Sequence, residues 1–302
     1  GMRSYKTDFT DIDFQRLDDH IRENVPHGAG GYNDPDRNRK YLMKNEEKLY
    51  RDLSEKAGQK KGRVIESLGT LGGGNHFIEV NRGDDGYLWF TVHCGSRNFG
   101  LSIAEFHQKK AVENMKRNNI EGVSKELAYL TGDDREEYLK DIQTADMYAW
   151  KNRLMIMDTV MDLYNIDVYY CDCIECVHNY IDPDDNIIRK GGVSAYEGED
   201  LIIPLNMRDG IIMAEGRGLS GWNYSAPHGA GRKMSRKQAE REIDTEDFKK
   251  GMEGIWSSCI SEKTVDESPE AYKLKEDILE DLKDAVDIKE ILEPVYVFIS
   301  DK

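Results

Sequence analysis

A chain of 302 residues can bury a full hydrophobic core, so its size permits an enzyme. With 58 Asp and Glu against 42 Lys and Arg, its net charge of −16 argues against a surface that binds nucleic acid throughout, so any such site must be a local basic pocket. It has no apolar run long enough to span a membrane and no secretory signal pattern, so we expect a cytoplasmic protein whose five cysteines are reduced thiols or metal ligands.

The first third of the chain predicts two helices followed by a β-hairpin. Residues 11–24 and 39–58 have helical patterns, and Gly and Pro punctuate the segment between them. Residues 75–82 and 87–93 are rich in β-branched and aromatic residues and flank Gly-Asp-Asp-Gly at 83–86, which is typical of a hairpin.

The remainder predicts a mixture of helices, short strands and Gly-rich loops. The predicted elements are helices at 102–115, 125–139 and 144–164, a strand at 166–181, a Gly-rich region at 191–231 and a charged helix at 235–251. No internal repeat or linker is visible, so we expect one compact α+β domain over residues 1–302, with central β-structure surrounded by helices.

The hairpin predicts that two histidines are neighbours. If 83–86 form a four-residue loop, Arg82 faces Tyr87 and the same register places His76 directly opposite His93. Cross-strand neighbours have Cβ atoms about 4.5–5.5 Å apart, from which two imidazoles can share a metal. A satisfied polar pair is the alternative, but the adjoining Gly, Asn, Ser and Arg residues favour the metal.

A Cys-rich segment precedes a third histidine. Cys173-x₂-Cys176 followed by His178 has zinc-ligand spacing. In a strand, however, Cys176 and His178 share one face while Cys171 and Cys173 share the other, so four ligands cannot converge. We therefore expect Cys171 and Cys173 to be buried thiols and His178 to be a third metal ligand, with Cys176 as a further candidate.

Two Gly-rich motifs differ in what they predict. Gly-x-Gly-x-x-Gly at 216–221 is not followed by a helix start, which disfavours a nicotinamide or flavin site. The segment 228–236, HGAGRKMSR, combines small residues that let backbone amides approach a phosphate with arginines that neutralise it. A neutral His228 there can attack an α-phosphate, although a plain phosphate-binding loop fits the residues equally well.

Seven segments together resemble the RNA-splicing ligase (RtcB) family. They are GTLGGGNHFIEV (69–80), VHCGSRNFG (92–100), HNYID (178–182), RKGG (189–192), IIP (202–204), PHGAGRKMSR (227–236) and SPEAYK (268–273). The resemblance implies an RNA-repair and tRNA-splicing ligase that uses GTP and Mn²⁺ to join a 2′,3′-cyclic phosphate or 3′-phosphate end to a 5′-hydroxyl end. It implies no membrane and no obligate protein partner.

The resemblance also implies roles for individual residues. The manganese ligands are His76, His93 and His178, and the guanylated histidine is His228. The residues implied to bind GTP are Asn75, Glu79, Gly229, Ala230, Gly231, Tyr272 and Lys302. Those implied to bind RNA or nucleotide phosphates are Arg97, Arg189, Arg232 and Arg236.

The sequence departs from the family pattern in three places, and the loop at 203–210 indicates a divergent branch. The ending VYVFISDK differs from the family's lysine-glycine close, and IPLNMRDG (203–210) differs from its IPGSMG. The family's Asp-x-Gly-Cys-Gly-Met segment is not present before RSYKT (3–7). We expect this sequence to bind metal more weakly and ligate more poorly than one carrying that Asp and Cys. A non-catalytic protein that binds GTP or RNA ends, or a metal-dependent phosphoesterase, is the alternative function.

Overall fold

Helices and strands occur in separate groups along the chain in the computed structural model, which describes residues 1–28, 30–60 and 62–300. The strands are β1 (Met2–Lys6), β2 (Phe77–Arg82), β3 (Leu88–His93), β4 (Cys173–Cys176), β5 (Asn179–Ile181), β6 (Ile188–Lys190), β7 (Gly192–Ser194), β8 (Asp200–Pro204), β9 (Ile211–Gly216), β10 (Ser225–Pro227) and β11 (Val286–Ile299). The helices are α1 (Phe14–Asn24), α2 (Pro35–Arg39), α3 (Glu46–Lys56), α4 (Arg63–Glu66), α5 (Arg97–Arg117), α6 (Gly132–Asp162), α7 (Arg236–Glu242), α8 (Thr245–Gly251) and α9 (Lys275–Leu282).

A seven-stranded antiparallel sheet forms the centre, in the order β4-β1-β3-β2-β11-β9-β8. Every residue of β3 is buried. Because successive side chains of a strand point to opposite faces, both faces of the sheet are covered at this position. The predicted single α+β domain is therefore confirmed. Within the described residues, no helix is long and apolar enough to cross a membrane.

The predicted hairpin forms, but its predicted register is wrong by one residue. Phe77, not His76, pairs with His93, and Arg82 pairs with Leu88. The loop is one residue longer than predicted because Tyr87 joins it: its carbonyl accepts a hydrogen bond of 2.9 Å from the Gly83 amide. His76 lies just before β2, where strand alternation does not direct its side chain.

Two predicted helices merge, and another divides. Residues 133–162 contain neither Gly nor Pro, so α6 continues through the break expected between 139 and 144. The predicted helix at 235–251 is instead α7 and α8. The Asp244 carboxylate accepts a bond of 2.7 Å from the Glu246 amide and starts the second helix as its N-cap.

The predicted strand at 166–181 is also wrong. β4 pairs with β1 in the central sheet, whereas β5 pairs with β6 in a separate hairpin, so the chain changes partner around His178. Cys173 is exposed and Cys171 half-buried, contrary to the prediction of buried thiols. Cys176 is buried, and its Sγ accepts a bond of 3.3 Å from the Ile202 amide in the core beside β8. Cys176 thus has a packing role.

Candidate active site

A cavity of about 270 Å³ lies where β2, β3 and β11 meet the loop after β10. Ten predicted site residues line it: Asn75, Glu79, His93, His228, Gly229, Ala230, Gly231, Arg232, Arg236 and Tyr272. The fold therefore brings residues as far apart in the sequence as Asn75 and Tyr272, 197 positions, to one cavity. Lys302, also predicted to bind GTP, lies outside the described residues.

His228 is oriented by the chain that leads out of the β5–β6 hairpin. Its Nδ1 donates a hydrogen bond of 2.7 Å to the Gly191 carbonyl oxygen. Gly191 has a φ of +70°, a backbone conformation that glycine adopts readily. With its proton on Nδ1, neutral His228 carries its lone pair on Nε2, as a nucleophile requires.

His93 and His178 face each other across the site. Their Nε2 atoms are 3.0 Å apart, and the Nδ1 of His93 donates a bond of 2.9 Å to the Asn75 carbonyl oxygen. Burial lowers the pKa of His93 well below its ordinary value and that of His178 to about 3. Both imidazoles are therefore neutral near pH 7, which is the form that binds metal. The Gly1 amino group lies 3.3 Å from His178 Nε2.

His178 connects this pair to His228. The ring centroids of His178 and His228 are 4.7 Å apart, and those of His93 and His178 are 5.3 Å apart. The Nδ1 of His178 is buried and has no hydrogen-bond partner among the described residues. A buried polar atom without a partner is unfavourable.

His76 lies behind His93, with ring centroids 5.6 Å apart. Its Nδ1 is 2.8 Å from the Leu71 carbonyl oxygen and 3.1 Å from a guanidinium nitrogen of Arg97. Gly72 makes room for that guanidinium, since a Cβ at its position would lie within 2.1 Å of Arg97. Burial alone would raise the pKa of the Cys94 thiol, but His76 and Arg97 lower it to about 6.

The four histidines thus form a continuous row, but a three-histidine metal site stays a prediction. Within residues 1–28, 30–60 and 62–300, no three His, Cys, Asp or Glu side chains are arranged to hold one ion. The two histidines whose nitrogens come together are His93 and His178, and His76 is bonded elsewhere through Nδ1. The 3.0 Å separation resembles that of two nitrogens on adjacent positions of one octahedral ion, given metal–nitrogen distances of about 2.1 Å.

The two arginines of the cavity are paired with carboxylates that sequence reasoning missed. Arg236 contacts Asp266 at 2.5 Å and also Glu267, while Arg232 lies 3.6 Å from Glu267. The Tyr272 hydroxyl donates to Glu267 as well. Both carboxylates are buried, and they neutralise the positive charge of the arginines that would otherwise attract a phosphate. They stand directly before SPEAYK, but nothing in the sequence connects them with segment 228–236.

Glu79 occupies the cavity wall in an environment that disfavours its charge. It is buried, and its Oε1 has no hydrogen-bond partner among the described residues. Burial raises its pKa from 4.5 to about 8. A carboxyl whose pKa is higher in the folded chain makes the protein less stable as pH rises from the unfolded to the folded value, here from 4.5 to about 8.

The variant Glu79→Gln tests this dependence of stability on pH, because glutamine has nearly the same shape as glutamate but does not titrate. We expect Glu79→Gln to be more stable than the wild type at pH 9, by roughly 3–5 kcal/mol, because the buried charge is removed. Near pH 5 the difference should be much smaller, since folded Glu79 is then protonated. Urea unfolding at both pH values measures the two differences. If the difference in the free energy of unfolding between the variant and the wild type were the same at both pH values, titration of Glu79 would not affect stability.

Arg189, predicted to bind RNA, is instead buried beside the β5–β6 hairpin. Its guanidinium bonds to Asp182 at 2.9 Å, to the Tyr180 hydroxyl at 3.0 Å and to Ser225 Oγ at 2.9 Å. It is 3% exposed, so it is not available to an RNA phosphate. We assign Arg189 a structural role: it joins the hairpin that holds His178 to the strand that leads to His228.

That role predicts a loss of stability. Arg189→Ala leaves the Asp182 carboxylate without its partner, and we expect the free energy of unfolding to fall by about 3 kcal/mol. Lys190→Ala, at the exposed neighbouring position, should change it by no more than about 0.5 kcal/mol. Urea denaturation compares the two variants, and equal stabilities would contradict the structural role.

The divergent loop IPLNMRDG contributes to the cavity despite its unusual sequence. Pro204, Leu205, Asn206 and Met207 line the wall. The Pro204 carbonyl oxygen accepts a bond of 3.1 Å from the Ala230 amide, so this loop supports the segment that follows His228. A Cβ at Gly229 would lie 3.0 Å from the same oxygen, which explains the small residue there.

Comparisons with known proteins agree with the motifs. The model of the family described as tRNA-splicing ligase RtcB matches residues 1–299. RNA-splicing ligase RtcB of Escherichia coli K12 is 31% identical over 239 residues, which cover 73% of this chain and 58% of that protein. RNA-splicing ligase RtcB1 of Escherichia coli ATCC 25922 is 29% identical, over 95% of this chain and 78% of that protein. A tRNA-splicing ligase RtcB of Aeropyrum pernix is 28% identical, over 74% of this chain and 56% of that protein.

The matches therefore reach across the whole chain, although they span under two thirds of two of these three relatives. They include the segments that bring Asn75, His93 and His228 to one cavity. On these grounds the chain belongs to the tRNA-splicing ligase RtcB family.

Proposed function

We propose that this protein is a GTP-dependent and Mn²⁺-dependent RNA ligase that joins a 3′-phosphate or 2′,3′-cyclic phosphate end to a 5′-hydroxyl end. The observation that supports it best is His228. Its bond to the Gly191 carbonyl leaves Nε2 as the nucleophilic nitrogen beside a cavity lined by arginines and small residues. The names of the similar proteins add the reaction class.

In the first step, Nε2 of His228 attacks the α-phosphorus of GTP. A phosphorus–nitrogen bond forms, the bond to the β-phosphate oxygen breaks, and pyrophosphate leaves. An RNA 3′-phosphate oxygen then attacks the same phosphorus and releases His228. Finally the 5′-hydroxyl oxygen attacks the 3′-phosphorus, loses its proton and displaces GMP. A 2′,3′-cyclic end must first be opened by water, because the second step needs a terminal phosphate.

His93 and His178 are the residues we propose to hold Mn²⁺, with His76 beside them. Their Nε2 atoms face each other at 3.0 Å, a separation that two nitrogen ligands of one ion can adopt. A divalent ion bound there would polarise phosphoryl oxygens and reduce the negative charge that repels an attacking nucleophile. His178 also adjoins His228, so the same imidazole row positions the nucleophile.

A nucleotide that binds Arg232 and Arg236 must compete with the carboxylates that already pair with these arginines. Asp266 and Glu267 form ion pairs with Arg236, and Glu267 also lies 3.6 Å from Arg232. A triphosphate offers the arginines a larger negative charge and bidentate geometry, so it competes with these carboxylates. We propose that Arg232 and Arg236 contact phosphates and that Tyr272, whose ring lies 5.0 Å from the Arg232 guanidinium, lines the nucleoside side.

A ligation assay with matched RNA pairs tests the function. We expect joining of a 3′-phosphate strand to a 5′-hydroxyl strand with GTP and Mn²⁺, and none of a 3′-hydroxyl strand to a 5′-phosphate strand. Omitting GTP should abolish the product. Release of inorganic phosphate from the RNA end without GTP would favour a phosphoesterase instead, and nucleotide binding without any joined product would favour a binding protein.

A further inference from the structure

A second cavity, of about 290 Å³, lies between α5, α6 and the β5–β6 hairpin. None of the described residues that line the candidate active site lines this cavity. Its walls are mostly apolar, with Ala104, Leu139 and Ile188 among them, and Tyr129 and Tyr138 add flat aromatic surfaces. It is therefore a separate concave surface with the character of a small-molecule site.

One wall carries a buried imidazole that is bonded on one side alone. His107 is 2% exposed, and its Nε2 is 2.7 Å from Asp141 Oδ2, which also accepts a bond of 2.5 Å from Lys56 Nζ. A carboxylate oxygen accepts, so the proton of neutral His107 lies on Nε2. Its Nδ1 then presents a lone pair, and it is buried with no partner among the described residues.

The remaining groups favour binding over catalysis. No Ser, Thr or Cys occurs among the described residues that line the cavity, so His107 has no hydroxyl or thiol nucleophile of that kind to activate. The His107 and Tyr138 ring centroids lie 4.9 Å apart with their planes inclined by 45°, and both residues line the cavity. Arg135 lines the cavity as well, bonded to Asn186 at 2.6 Å.

We propose that this cavity binds a small planar aromatic molecule that carries an N–H or O–H donor, with that donor bonded to Nδ1 of His107. The volume is near the lower end of small-molecule sites, which begin at about 300 Å³, so one or two fused rings fit. The ring packs against the tyrosines and apolar side chains, as aromatic pairs do. The site is independent of the ligase chemistry proposed above.

The site also borders an element that the active site uses. Ile181, Asn186 and Ile188 belong to the β5–β6 hairpin or its turn and line the cavity. His178 precedes this hairpin, and Gly191 follows it. A test must therefore separate binding at His107 from binding at the active site.

The test is a titration of the full chain with ¹⁵N-labelled histidine, observed by NMR. Indole is the probe, and benzofuran, which has the same shape without the N–H, is its matched control. We expect the His107 Nδ1 resonance to shift with indole, and indole to bind about three- to tenfold more tightly than benzofuran because it makes one more hydrogen bond. Binding should persist in His228→Ala and disappear in Ala104→Phe, which fills the cavity and retains His107.

Three results would overturn the proposal. The first is an unchanged His107 resonance at the solubility limit of indole. The second is equal affinity for indole and benzofuran, which would show that Nδ1 contributes nothing. The third is undiminished binding in a folded Ala104→Phe variant, which would place the ligand elsewhere.

Discussion

His228→Ala is expected to abolish both the protein–GMP adduct and RNA joining, a loss of about 10⁴-fold or more, because the variant lacks the nitrogen that attacks the α-phosphorus. Ser225 bonds to Arg189 and to the Asn223 carbonyl. His93 also lines the cavity, but its Nε2 faces His178 at 3.0 Å and its Nδ1 bonds to the Asn75 carbonyl oxygen. The measurement is transfer of label from α-labelled GTP to the protein and then to RNA. A retained adduct in this variant would identify another residue as the nucleophile.

The chain offers a matched control for this variant. His27 lies in PHGAGG, a near copy of the His228 segment, and its Nδ1 likewise bonds to a backbone carbonyl, that of Val25, at 2.9 Å. Its ring packs edge-on against Phe298, and it does not line the active-site cavity. We expect His27→Ala to form the adduct as the wild type does. The comparison separates the local motif from its position in the fold.

The second large effect concerns manganese. His178→Ala should weaken Mn²⁺ binding by about 100-fold or more, because loss of a direct ligand should cost at least as much as loss of an outer-shell partner. His93→Ala should behave alike, since the two Nε2 atoms face each other at 3.0 Å. Loss of the free Mn²⁺ signal in electron paramagnetic resonance measures binding directly, and circular dichroism confirms that each variant folds.

The same histidine variants give an outcome that would contradict this assignment. His20 bonds through Nε2 to the Thr159 carbonyl at 2.7 Å and is not among the described residues that line the cavity, so His20→Ala is the control. If His178→Ala bound Mn²⁺ as tightly as His20→Ala, the ion would be held elsewhere. His76→Ala is the informative third variant, because its contribution decides between a two-histidine and a three-histidine site.

The motifs predicted which residues line the candidate cavity better than they predicted its geometry. Asn75, Glu79, His93, Tyr272 and residues 228–232 do line one cavity. The register of the hairpin was missed because it depends on whether Tyr87 belongs to the loop or to the strand, and residue composition does not decide that.

Pairings between distant segments were the least predictable. Arg189 resembles a surface residue in RKGG, but its partners come from β5 and β10, and the fold alone brings these together. Asp266 and Glu267 read as ordinary acidic residues until the structure places them against Arg236. Sequence patterns record local periodicity, whereas a buried charge is recognised by a partner that only tertiary structure supplies.

Intact-protein mass spectrometry of the wild type after incubation with GTP and Mn²⁺ tests the central claim most directly. We expect a mass increase of one GMP that is lost in mild acid, survives alkali and maps to the peptide containing His228, as a phosphoramidate should. Addition of RNA with a 3′-phosphate should remove it. An unmodified mass under these conditions, or an alkali-labile ester on another residue, would contradict the proposal that His228 carries the guanylate.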